Sequence, residues 1–134
     1  MKPKGPHLHA LALLVRDYDE AIAWYRAVLD FDLQEDSPMS PEKRWVRMAP
    51  KGEGSAAFLL AKAVGPVQEA AIGNQSGGRV FLFLYTDDID RDLERLQTHG
   101  VEILRGPSQE VYGRVLVFKD LYGNLWDLIQ PEGK

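Results

Sequence analysis

Asp17 and Asp88 stand 71 positions apart, and each opens a helix-period segment that follows an apolar strand-like run. Ala10 and Phe81, inside those two runs, are also 71 positions apart. In the first half "LHALALLV" (8–15) reads as a buried strand and "DYDEAIAWYRAVLD" (17–30) as a helix with Ala21, Ile22, Tyr25, Val28 and Leu29 on one face. Asp17 suits an N-cap, and Glu20 three residues later makes a capping-box pattern. "FDLQED", "KRWVRMA" and "AAFLLAKA" follow as strands, the last two separated by the turn-rich "PKGEGS". The order then restarts with a strand at 79–86 and a helix at 87–99, with Ile89, Leu93 and Leu96 on one face and Gly100 placed to end it. "VEIL", "EVYGRVLVF" and "NLWDLIQ" supply the remaining strands.

This repeat constrains the fold more than any single residue does. A βαβββ module covers one sheet face with its helix, and the other face must pack on something or line a cavity. The expectation is an α+β fold of two such modules, about 7–62 and 79–131, forming a curved mixed sheet around a ligand-sized cleft. Residues 63–78 form the linker, in which "VQEAAI" can make a helical turn.

Period-two alternation assigns side chains to the two faces. Leu11, Leu13 and Val15 should pack beneath the first helix, leaving Ala10, Ala12 and Leu14 inward. Leu82 and Leu84 should pack in the matching strand, leaving Phe81, Phe83 and Tyr85 inward. In the last strand Trp126 and Leu128 pack, while Leu125, Asp127 and Ile129 face the cleft with Leu59. Asp127 is then the one acid of an apolar and aromatic surface. A carboxylate there must be paired, hydrated or protonated. Two readings stay open: contact with a ligand, for which nearby aromatic faces suit an organic cation, or an internal hydrogen bond.

"LLVRDYDEAIAWYRAVLDF" and "VFKDLYGNLWDLIQ" resemble the two signature segments of the vicinal oxygen chelate superfamily, which includes glyoxalase I, bleomycin-resistance proteins, fosfomycin-resistance enzymes and extradiol dioxygenases. The "D-x-x-x-A-x-x-[FW]-Y" helix and the "D-x-x-G-N" turn carry the resemblance, which covers nearly the whole chain. It implies the fold and a homodimer, and it leaves the reaction open. In metal-dependent members an inward side chain from each of four strands holds a divalent ion, usually His or Gln, Glu, His and Glu. Carried over, those positions are Ala10, a residue near Ala57 (Leu59 if the register shifts by two), Phe81 and Asp127. Only the last is an oxygen ligand, so no metal and no cofactor is expected. His7 and His9 read as strand-end or surface residues, His9 falling on the packing side by alternation.

Elsewhere the chemistry is sparse. His99 suits a helix C-terminus, and "GNQSGG" lacks what a phosphate loop needs. Arg44 and Arg47 around Trp45 either bind an anion at the cleft mouth or are solvated. Tyr112, beside Gly113, either meets the ligand or packs. Asn74 and Gln75 lie where they could cap the cavity. The chain lacks cysteine, and its net charge of −4 with no basic stripe disfavours nucleic acid. "ALALLV" is too short for a bilayer and unlike a secretory signal. The expectation is a cytoplasmic, metal-independent protein that binds a small molecule at Asp127, Phe81, Phe83, Tyr85, Leu14, Leu59, Tyr112, Trp45 and Arg47. The alternatives are a glyoxalase-type lyase, isomerase or dioxygenase, and a dimer with a closed cavity.

Overall fold

A computed structural model describes residues 4–133. The chain divides into two compact units, Met1–Gly65 and Pro66–Lys134, with the division inside the expected linker. In the first unit the elements run β1 (Ala10–Val15), α1 (Tyr18–Leu29), β2 (Asp32–Pro38), β3 (Arg44–Ala49) and β4 (Ala57–Lys62). The second begins with α2 (Gly65–Ala71 overlaps the division) and continues β5 (Val80–Tyr85), α3 (Ile89–Thr98), β6 (Ile103–Glu110), β7 (Gly113–Lys119) and β8 (Leu125–Pro131). Each unit carries one four-stranded mixed sheet, ordered β1-β4-β3-β2 and β5-β8-β7-β6, with a parallel pair at β1/β4 and at β5/β8. The fold is α+β, as the repeat requires.

Local chemistry sets the helix starts. Asp17 Oδ2 accepts the Glu20 backbone N–H at 2.8 Å, and Asp88 Oδ1 accepts that of Arg91 at 3.1 Å. The Glu20 carboxylate takes Arg16 at 2.6 Å. α1 ends on Asp30 in the left-handed conformation, and Gly100 follows α3 with φ +68°.

The cores lie where alternation puts them. In the first unit Leu13, Val15, Val46, Met48 and Leu60 are buried together with Ala21, Tyr25 and Val28 of α1. Tyr25 stacks on Phe31 at 5.9 Å between ring centroids and meets Phe58 edge-on at 5.4 Å. In the second unit Ile89 and Leu96 of α3 are buried, as are Leu116, Phe118, Trp126 and Leu128, and Phe118 stacks on Trp126 at 5.8 Å.

Two strands depart from the sequence reading. The expected strand "EVYGRVLVF" is broken at Val111 and Tyr112, which form the tip of a β6–β7 hairpin. Gly113 makes the corner: its φ is +144°, and a Cβ there would lie 2.2 Å from the Gln130 carbonyl oxygen. The expected "VEIL" strand extends to Glu110 through Pro107. β6 lies at a sheet edge and shifts register on both sides of Arg105, which is where a strand tolerates proline.

Candidate ligand-binding site

The "DLYGN" turn aims β8. Asp120 is 6% exposed, and its Oδ1 accepts the backbone N–H groups of Tyr122 and Asn124 at 3.0 and 2.9 Å. Its Oδ2 accepts the Asn124 side-chain amide at 3.0 Å and the Trp126 indole N–H at 2.9 Å. One carboxylate therefore closes the turn and fixes the first buried anchor of β8. The motif "D-x-x-G-N" is this hydrogen-bond set written in sequence.

β8 then alternates, with Trp126 and Leu128 buried toward the core and Asp127 on the opposite face. Across the sheet Asp127 stands in register with Phe83 on β5 and Val117 on β7, and Val117 with Arg105 on β6. The row is Phe83–Asp127–Val117–Arg105. Asp127 Oδ1 is shielded from solvent and has no hydrogen-bond partner. Desolvation holds the carboxyl above its ordinary value of 3.8, against a weaker opposing pull from the Arg105 charge. Burying Trp126 and Leu128 contributes about 2–3 kcal/mol each, more than the about 1–3 kcal/mol cost of an unsatisfied polar group. The anchors win, so β8 keeps Asp127 in this unfavourable place.

Phe83 and Tyr85 are 65% and 69% exposed beside that carboxylate. Phe81 is half-buried and falls in a bulge, so that Val80 stands opposite Leu125. Tyr112 is on the hairpin tip, five residues along β7 from Val117. At about 3.3 Å per residue that is roughly 16 Å from the Asp127 row, and the structure does not bring the two together.

The first unit presents the corresponding open face. Ala12, Leu59, Arg47 and Glu35 form the row equivalent to Phe83–Asp127–Val117–Arg105. Leu59 is therefore the counterpart of Asp127, with Ala57 two residues away; Leu14 lies opposite Ala61. A bulge between Leu33 and Glu35 turns Gln34 to the Arg47 side, where its Oε1 accepts from Arg47 Nη1 at 2.6 Å. Arg47 Nε lies 3.7 Å from Glu35 Oε1, which accepts the Trp45 indole N–H at 3.1 Å. Arg44 is occupied differently. It grips both oxygens of Asp36, reaches Asp19 at 3.0 Å and lies over the Tyr18 ring, tying α1 to the β2–β3 hairpin. That pairing pushes the Asp36 carboxyl below its ordinary range.

His7 and His9 are exposed and precede β1, as strand-end surface residues, and His9 is not packed beneath the sheet. Both border an open pocket of about 300 Å³ with Gln34, Arg47 and Ala57 of the open face. β1 begins at Ala10, and the pleat has no hold on residues before it. Asn74 and Gln75 lie in the turn after α2, where Gly73 sits so close to Tyr122 that a Cβ would meet its carbonyl oxygen at 1.9 Å.

A divalent ion does not fit the positions the fold family would use. Ala10, Leu59 and Phe81 offer no donor, Asp127 offers one carboxylate, and among the described residues no three His, Asp or Glu side chains converge.

Residues 7–128 match the family model described as the Glyoxalase/Bleomycin resistance protein/Dioxygenase superfamily. A protein of Shewanella frigidimarina described as uncharacterized is 53% identical over 125 residues, 92% of this chain and 93% of that one. Among solved structures, TnmS3, an antibiotic binding protein from Streptomyces sp. CB03234, is 32% identical with a TM-score of 0.77, covering 98% of this chain and 100% of its own. A glyoxalase/bleomycin resistance protein from the same Streptomyces is 33% identical with a TM-score of 0.72, covering 90% and 97%.

Proposed function

The chain belongs to the glyoxalase/bleomycin resistance protein/dioxygenase superfamily, and from that premise we propose that it is a metal-independent small-molecule binding protein that seats an apolar or cationic aromatic compound against the Asp127 row. The observation that carries this reading is the part-buried Asp127, whose Oδ1 is shielded and without a hydrogen-bond partner, in register with the exposed Phe83 and two positions along β5 from the exposed Tyr85. An internal hydrogen bond would have made Asp127 a structural residue; its Oδ1 has none. A ligand cation would offset the carboxylate charge, and aromatic faces add cation–π attraction of about 0.5–2 kcal/mol. The likeness to TnmS3 supports small-molecule binding as the task of the fold here. Leu14, Leu59, Trp45 and Arg47 belong to the reading as the first unit's open face, and Tyr112, on the distant hairpin tip, drops out of it. The reading also has the protein act in the cytoplasm as a homodimer. No helix among the described residues is long and apolar enough to cross a membrane.

Thermal-shift titration with phenyltrimethylammonium and its neutral isostere tert-butylbenzene tests the proposal. The cation should raise the midpoint of the wild type more than the isostere does. Asp127→Asn should lose that excess while keeping the response to the isostere. Equal shifts in both proteins would sink it.

A further inference from the structure

The pocket at the start of β1 lies wholly within the first unit, and of its lining only Arg47 also belongs to the set named for the proposed function. We propose that it is a separate binding site for a small oxyanion, a carboxylate or phosphate group, held by Arg47, Gln34, His7 and His9.

The donor inventory supports this. No aspartate or glutamate lines the pocket, and His7, His9, Gln34 and Arg47 carry N–H groups, while the Ser55 hydroxyl donates to the Ala56 carbonyl at 2.9 Å. Arg47 is the central one. Its Nε is shielded from solvent on the side of Glu35, whose Oε1 lies 3.7 Å away outside the pocket, so an anion in the pocket would meet the terminal Nη groups. Guanidinium presents its donors in a fixed fork that matches a planar carboxylate or two phosphate oxygens. Gln34 strengthens the case. Arginine can only donate, so the 2.6 Å contact fixes the Gln34 amide oxygen toward Arg47 and leaves its NH₂ as a further donor. The bulge that places Gln34 there is thus a positioning device for the arginine. Two histidines approach with ring centroids 6.4 Å apart. Imidazoles could instead suggest a metal, but a guanidinium in the same wall repels a divalent cation and attracts an anion. Glu35 offsets part of the Arg47 charge from outside the pocket lining. A volume of about 300 Å³ leaves room for a small organic molecule around the anionic group.

Titration calorimetry on the full chain at neutral pH, with inorganic phosphate and separately with benzoate, tests the assignment. Saturable binding of either probe is expected; phosphate alone would identify a tetrahedral oxyanion, and benzoate alone an aromatic carboxylate. Arg47→Gln should weaken binding by about tenfold, as for loss of one charge-assisted bidentate contact. Arg47→Lys, which keeps the charge and loses the fork, should weaken it in the same direction and covers the case in which the first variant does not fold. The double variant His7→Gln/His9→Gln should weaken it less, and Asp127→Asn should leave it unchanged. Binding of neither probe to the wild type would overturn the proposal. Undiminished affinity in a folded Arg47 variant, or loss of binding in Asp127→Asn, would overturn it too.

Discussion

Replacing Asp120 by Asn tests how the last strand is aimed. The wild-type carboxylate accepts two backbone N–H groups on one oxygen and the Asn124 amide and Trp126 indole on the other. The substitution keeps the shape, but one oxygen becomes an NH₂ facing two donors. Hydrogen bonds to a charged group contribute about 1.5–3 kcal/mol, and a buried donor left without a partner costs about 1–3 kcal/mol. The four contacts share one carboxylate and are not additive, so the expected loss is about 3–4 kcal/mol, in the range for breaking a buried charged interaction. That is a large share of a stability of about 5–15 kcal/mol. With a urea slope of about 1–3 kcal/mol per molar, the unfolding midpoint should fall by about 1–4 M. Equilibrium unfolding followed by tryptophan fluorescence measures it, and Trp126 reports directly on the affected strand. A loss under about 0.5 kcal/mol, the ordinary range for a surface substitution, would refute the role given to Asp120.

Asp127→Leu places in the second unit the residue its counterpart already has in the first, and should raise stability at neutral pH by about 1–2 kcal/mol by removing an unsatisfied carboxylate oxygen; denaturant midpoints check it. The advantage should shrink on acidification. The folded-state pKa of Asp127 lies above 3.8, so the native state binds the proton more tightly and the penalty is relieved as pH falls through the raised pKa. Asp36 and Asp90 run oppositely: Arg44 and Arg114 hold them below 3.8, so their stabilisation is present above that pH and is lost below it. Gly113→Ala should cost about 3 kcal/mol or more, because the added Cβ meets Gln130 backbone at 2.2 Å and φ is +144°; thermal unfolding would show it, and an unchanged midpoint would contradict the close approach.

The helices and sheet faces were legible in the sequence because they rest on local periodicity. Asp17 and Asp88 cap where their spacing predicts, and Leu13, Trp126 and Leu128 are buried where alternation places them. The same arithmetic put Asp127 opposite the core. Alternation failed where the pleat is interrupted. The bulges bring Gln34 to Arg47 and set Val80 rather than Phe81 opposite Leu125, and periodicity carries no sign of either. His9 precedes β1, so extending the pattern back to it had no physical basis. Val111 and Tyr112 have strand-like side chains, which hid a hairpin tip that only Gly113 announced. "D-x-x-G-N" was visible as a motif; its meaning as a four-contact carboxylate was not, because Trp126 is anchored by a residue six positions earlier. The Arg44 pairs with Asp36 and Asp19 join three elements and have no local signal at all.

The central claim is that Asp127 gives this fold a charge-reading group without a metal. Titration calorimetry of phenyltrimethylammonium into protein dialysed against a chelator, wild type beside Asp127→Asn, tests it most directly. The account predicts that the wild type binds after chelation with undiminished affinity and that Asp127→Asn binds about tenfold more weakly, the loss of about 1.4 kcal/mol. Binding abolished by the chelator, or equal affinity in the two proteins, would contradict it.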